Sequence, residues 1–207
     1  MAEPTAQICP RRHNHWAVQQ AKESDCGPSC ISIVLHTIGH RDAGTPIADI
    51  RQLSAQYGGH YRPAAKDVVG TSASASSPIA MMAKAATKAL GGGRDGTMSG
   101  NLHAILVNDF GLTSSIHQQA PDGAALKRII RQNVTPTILH VEWSNGAGHF
   151  IVADGRETHW IGFSHYCFSD PFYGLVSYKM NDANRTAYKP IDGVVGTFSG
   201  WYISNIS

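Results

Sequence analysis

Pro136 divides this sequence into two textures, and that division constrains the fold more than any other feature. Before it, apolar residues recur at helical spacing. Ile31, Val34, Leu35 and Ile38 fall at i, i+3, i+4 and i+7, the stripe of an amphipathic helix. Proline is tolerated only in a first turn, so Pro28 predicts a helix start at about Asp25 or Cys26, and Gly39 stands where a left-handed glycine would end it. Thr45-Pro46 and Ser77-Pro78 open two more helices, over 46–57 and 78–90, with Gly91-Gly92-Gly93 closing the second. Further helical stretches are expected near 100–110 and 122–133. After Pro136, Thr137–Trp143 is β-prone, Asn145-Gly146 supplies a turn, and His149–Asp154 reads as the antiparallel partner. Trp160–Phe163, Tyr166–Ser169, Val176–Tyr178 and Gly200–Ser204 could complete a sheet. Helices first and strands later predict an α+β domain, a helical half packed on an antiparallel sheet.

No linker or internal repeat interrupts this pattern, so 207 residues are expected to form one domain, 1–207, with an adequate core. Residues 1–18 lack periodicity and read as an N-terminal arm, and the small polar run 70–77 as a flexible loop. The balance of 17 basic and 15 acidic residues leaves a formal charge of +2, too weak to point to nucleic acid or an anionic membrane. No apolar run approaches the ~18–20 residues that span a bilayer. The opening residues lack the apolar core of a secretory signal, so a cytosolic origin is expected, with a signal-independent export route left open. Four cysteines make no disulfide framework in a chain of this size. Cys26 and Cys30 lie one helical turn apart, where a bridge would constrain little, and reduced thiols are expected.

Chemistry concentrates at the start of the first helix, in Gln20-Ala21-Lys22-Glu23-Ser24-Asp25-Cys26-Gly27-Pro28. A helix N-terminus offers unpaired N–H groups and a positive dipole end, which favour a thiolate. Cys26 occupies that position and Cys30, a turn further in, does not. The residues alone leave three readings of Cys26 open: a nucleophile, half of a metal site, or a small buried hydrophobe. A nucleophile needs a base and a group that orients the base. Among eleven histidines, His149 opens an apolar strand directly after a glycine-containing turn, although a satisfied core histidine fits the same pattern. Asp170, before Pro171, could accept from its ring N–H, or simply form a turn. Gln20, or its neighbour Gln19, could aim an amide at an oxyanion together with the Cys26 N–H.

Taken together, Gln20-x5-Cys26-Gly27-Pro28, Gly148-His149-Phe150-Ile151-Val152 and Asp170-Pro171 resemble the papain-like cysteine peptidases. Within them, the bacteriocin-processing (double-glycine leader) family and its stand-alone relatives carry the same elements in the same order. The resemblance covers mainly 18–40 and 136–175. It implies a papain-like fold, with Cys26 as nucleophile, His149 as general base and acid, Asp170 as orienter and Gln20 in the oxyanion hole. It implies hydrolysis of a peptide or amide bond in a protein or peptide substrate, without metal or cofactor. That family's peptidase domains are shorter and often fused to a membrane transporter. A longer helical insert and no transporter favour a free-standing enzyme, such as a toxin or effector delivered to another cell, with an inhibitor or immunity protein as partner. Deamidases and acyltransferases of similar fold use the same catalytic set, and a non-catalytic binding module is a further alternative.

A zinc site is a further competing reading: Cys26 and Cys30 with two of His149, His159, His165 and Cys167. The spacing is not that of paired CxxC knuckles, and Pro28 between the cysteines argues against it. His13-Asn14-His15 lacks the ββα context of a nuclease motif and reads as a loop. Cys9, Cys30 and Cys167 are assigned to packing, and Trp143 or Phe172, near the site in sequence, to a groove wall.

Overall fold

The structure, a computed structural model, describes residues 5–8, 14–20, 24–57, 96–118, 129–130, 135–144, 146–154, 158–160, 163–180 and 187–207. The loop expected over 70–77 and the helix over 78–90 lie outside these residues, as does most of the helix expected near 122–133, where 129 and 130 are helical.

Helix α1, Cys26–Ile38, has the bounds its punctuation predicts. Gly39 closes it in the left-handed region, at φ 67°, where glycine carries no Cβ penalty. Asp25 precedes the first turn without capping it through its side chain. Its carboxylate, with no exposed surface, instead takes a two-pronged ion pair from Arg51 of helix α2, Ile47–Gln56, with Nε at 2.6 Å from Oδ1 and Nη2 on Oδ2. A fork–fork pair of this kind fixes geometry as well as charge, and it ties the start of α1 to α2. Gly27 is required by close packing: a Cβ there would lie 2.8 Å from Thr97 Cβ and 3.0 Å from Leu102. Helix α3, Ser99–Ala104, continues into a π-helical turn over Ile105–Asp109.

Among the described residues the strands form one eight-stranded sheet and a separate pair, every pairing antiparallel. The pair is β1, Thr5–Ile8, with β2, Asn14–Ala17. The main sheet runs β3 (Ser115–Gln118), β10 (Gly196–Ser204), β4 (Thr137–Trp143), β5 (Gly148–Ala153), β7 (Phe163–Asp170), β6 (Thr158–Trp160), with β8 (Gly174–Met180) on β7 and β9 (Ala187–Tyr188) on β10. The β4–β5 hairpin turns where Asn145-Gly146 predicts, with Gly146 at φ 79°. The expected strand Trp160–Phe163 is corrected: β6 ends at Trp160 and β7 begins at Phe163. The expected N-terminal arm contains β1 and β2, and β2 contacts α1 with His15 and Ala17 buried. His15 reaches the Asp154 carboxylate at the end of β5. Four-residue strands without alternation leave no periodic signal.

The sheet has two apolar faces. Ile138, Phe150, Val152 and Ile203 pack with Ile31, Val34 and Leu35 of α1 and with Leu102, Ile105 and Leu106. Leu139, Val141, Trp143, Ile151, Phe168, Tyr188 and Phe198 form the second cluster. Burial of each large aliphatic side chain is worth roughly 1.5–3 kcal/mol, so α1 is held by its apolar face more than by its caps. The architecture is therefore α+β, with α1 laid against β5. Among the described residues no helix is long and apolar enough to cross a membrane.

Because Asp25 is fully buried, removing its cation strands a charge. Arg51→Met, which keeps the apolar stem, should lower the unfolding free energy by roughly 3 kcal/mol. Urea denaturation followed by circular dichroism measures this; an unchanged midpoint would contradict the assigned role of the pair.

Candidate active site

Cys26 is the first residue of α1, His149 the second of β5, and Asp170 the last of β7. The structure brings the three together. His149 Nε2 lies 2.8 Å from Asp170 Oδ1, and Cys26 lies close enough to the ring to help raise its pKa. With Nε2 turned to the carboxylate, Nδ1 is the nitrogen left for the thiol. All three are buried: Cys26 is 8 % exposed, His149 5 % and Asp170 0 %.

Asp170 is held from several sides. Oδ1 also accepts from the backbone N–H of Phe172, at 2.7 Å, and of Tyr173, at 3.1 Å. Oδ2 accepts from the Tyr188 hydroxyl at 2.6 Å. These N–H groups come from the β7–β8 turn, in which Asp170 pairs with Gly174 at φ 79°. A carboxylate caught in its own turn is the local chemistry of an Asx motif. Burial disfavours its charge, but the His149 ring and the donors from Tyr188 and Phe172 outweigh that and lower its pKa from 3.8. Ionised, Asp170 can only accept, so His149 Nε2 must carry the proton.

Burial likewise disfavours a charged His149. The Asp170 charge and hydrogen bond, followed by the contacts with Cys26, overcome it and raise its pKa from 6.5 to about 10. Trp143 stacks on the ring with centroids 5.7 Å apart and planes at 28°, covering one side of it. Of the other histidines, His140 is the instructive contrast. Burial, then the neighbouring His149 charge, lowers its pKa to about 4, and its Nδ1 pairs with Ser199 Oγ at 2.7 Å. It is a neutral ring at pH 7.

Gln20 joins the same end of the molecule through its backbone, its N–H donating to Pro171 O at 2.7 Å. Its side chain is partly buried, whereas that of Gln19 is exposed, so Gln20 is the better placed of the two amides. Cys30 is different in kind. It is fully buried, and desolvation followed by the nearby Cys26 and Asp170 charges pushes its thiol well above the ordinary 9.0. Such a thiol is inert at neutral pH. Among the described residues no three His, Cys, Asp or Glu side chains gather to hold a metal ion.

Sequence reasoning did not find Tyr188, which lies in a two-residue strand far from the motifs, nor the stacking role of Trp143. No local pattern marks either, because both are set by strand pairing. Comparison with protein-family models gives no match, and no curated protein matches the chain.

The coupled pair sets a pH window for stability. The folded-state pKa of His149 is raised from 6.5 to about 10, so its contribution is complete below 6.5 and is lost as pH rises toward 10. The pKa of Asp170 is lowered, so its contribution is complete above 3.8 and is lost as pH falls through the lowered value. Scanning calorimetry at graded pH should therefore show the melting temperature falling on the alkaline side, and His149→Gln should remove that part of the decline. An identical alkaline slope in the variant would contradict the coupling.

Proposed function

We propose that this protein is a papain-like cysteine peptidase or closely related amide hydrolase. The observation that carries the reading is one continuous contact line, Cys26–His149–Asp170, running from a helix N-terminus to a buried carboxylate. A histidine that is paired with a carboxylate on one nitrogen and faces a thiol with the other matches the nucleophile–base–orienter logic of acyl transfer.

In this mechanism the proton of Cys26 rests on His149 Nδ1, giving a thiolate and an imidazolium stabilised by Asp170. The sulfur attacks the amide carbonyl carbon of a protein or peptide substrate, forming the C–S bond while the C=O pair moves onto oxygen. The first N–H groups of an α-helix have no intrahelical partner, so the Cys26 N–H can receive that oxyanion beside the Gln20 amide. Collapse of the tetrahedral intermediate breaks the C–N bond, and His149 Nδ1–H protonates the leaving amine. Water, deprotonated by the now neutral ring, attacks the thioester carbon; the C–S bond breaks, releasing the acid and restoring the thiolate beside the protonated ring. Trp143 and the burial of the triad limit water around the ion pair, which strengthens it. Neither a metal nor a cofactor is invoked. The resemblance of the motifs to the bacteriocin-processing family supports the fold and the roles, and it favours an effector-like enzyme with an inhibitor or immunity protein as partner.

Brief treatment of the native protein with iodoacetamide at about pH 6, followed by peptide mass spectrometry, should label Cys26 at least about tenfold faster than Cys30 or Cys167. Cys26→Ala should abolish hydrolysis in a proteome-derived peptide screen and leave the melting temperature nearly unchanged. Cys30→Ala should instead cost roughly 1 kcal/mol of stability, as a small core truncation does, with turnover retained. Hydrolysis by the Cys26→Ala protein would overturn the reading.

A further inference from the structure

We infer that Tyr188 is a positioning residue for the Asp170–His149 pair, an inference that rests on the cysteine-hydrolase reading. Oδ1 of Asp170 serves His149 and two backbone N–H groups, whereas Oδ2 is held by the Tyr188 hydroxyl at 2.6 Å. With both oxygens tied, the carboxylate plane cannot turn about its Cβ–Cγ bond, and the direction of the bond to His149 Nε2 is fixed.

The hydroxyl is itself aimed by a cage of rings. Tyr188 has no exposed surface. Phe168 meets it edge-on at 5.7 Å, Phe198 at 5.7 Å with planes at 60°, and Trp143 at 6.0 Å with planes at 42°. Trp143 is also the ring stacked on His149. The contacts therefore close a circuit, from His149 through Asp170, Tyr188 and Trp143 back to His149. Gly196 makes the circuit possible. It pairs with Tyr188 on one side and Trp143 on the other, and a Cβ there would lie 2.8 Å from the Trp143 ring and 2.5 Å from Val141 Cγ1. Bare backbone at that position leaves room for the indole between the tyrosine and the histidine.

Tyr188 does not touch the reacting atoms; it acts through Asp170. Tyr188→Phe keeps the ring in its cage and deletes the donor. Two probes that are blind to ordinary packing then test the inference: the downfield proton resonance of the His149 Nε2–H···Asp170 bond, and the rate of Cys26 alkylation by iodoacetamide as a function of pH. In the variant that resonance should shift and broaden, and alkylation at about pH 6 should slow about tenfold, the usual scale for losing a hydrogen bond to a charged group. At alkaline pH, where thiols ionise unaided, the two rates should converge. A wild-type resonance together with an unchanged or faster alkylation rate would overturn the inference. If Tyr188→Phe does not fold, 3-fluorotyrosine at 188 keeps the question open to refutation. It retains the hydroxyl and makes it a stronger donor, so it should move the His149 resonance, and an unmoved resonance would overturn the inference. Should Cys26 of the unmodified protein react no faster than Cys30, the hydrolase reading fails by itself, while the resonance still reports whether Tyr188 governs Asp170.

Discussion

A carboxylate with no access to solvent must be satisfied wholly by protein donors, and the arrangement of this molecule's sheet follows from how Asp170 meets that demand. Left unpaired, such a charge would either neutralise or cost several kcal/mol. Here it receives the His149 ring, two backbone N–H groups and the Tyr188 hydroxyl. Supplying them requires the β7–β8 turn to fold back on its own first residue. It also requires β9 to deliver a tyrosine from the far side of β10, and β5 to present a histidine at its beginning. The same requirement holds the imidazolium: the environment that keeps Asp170 ionised raises the pKa of the ring beside it.

The helical half contributes the thiol and fixes where it stands. Asp25, immediately before Cys26, spends its carboxylate on Arg51 of α2 rather than on capping α1. Gly27, immediately after, lets Thr97 and Leu102 approach the helix more closely than any side chain would allow. Two neighbours of the cysteine thus anchor the first turn of α1 against the rest of the helical half. Its apolar face, Ile31, Val34 and Leu35, sets the helix on the sheet. The distance between Cys26 and His149 is in this sense a product of the core, not of a loop. The packing thus holds the thiol and the ring at a fixed separation.

Much of this was legible in the sequence wherever the determining signal is local. Pro28 and Gly39 mark both ends of α1 because proline and glycine act within a turn of themselves. The β4–β5 hairpin is legible because two β-prone runs flank Asn145-Gly146. Cys26, His149 and Asp170 were candidates from their positions beside a helix start, a glycine turn and a strand end, and the fold places them in contact. What escaped depends on tertiary pairing. β3 and β9 are short and carry no alternation, and the boundary between β6 and β7 falls inside a stretch that reads as one strand. The partnership of Asp25 with Arg51 spans 26 residues, and that of Asp170 with Tyr188 joins two strands, β7 and β9, that do not pair with each other.

With its pKa raised to about 10 by Asp170 and Cys26, His149 is expected to be an imidazolium at neutral pH. The most direct measurement is a nitrogen NMR titration of the protein labelled with nitrogen-15 in histidine, with His149 assigned by substitution. Both of its ring nitrogens should be protonated at neutral pH, Nδ1 should lose its proton only near 10, and Cys26→Ala should lower that transition. A neutral ring at pH 7, titrating near the ordinary 6.5 and unaffected by Cys26→Ala, would contradict this expectation.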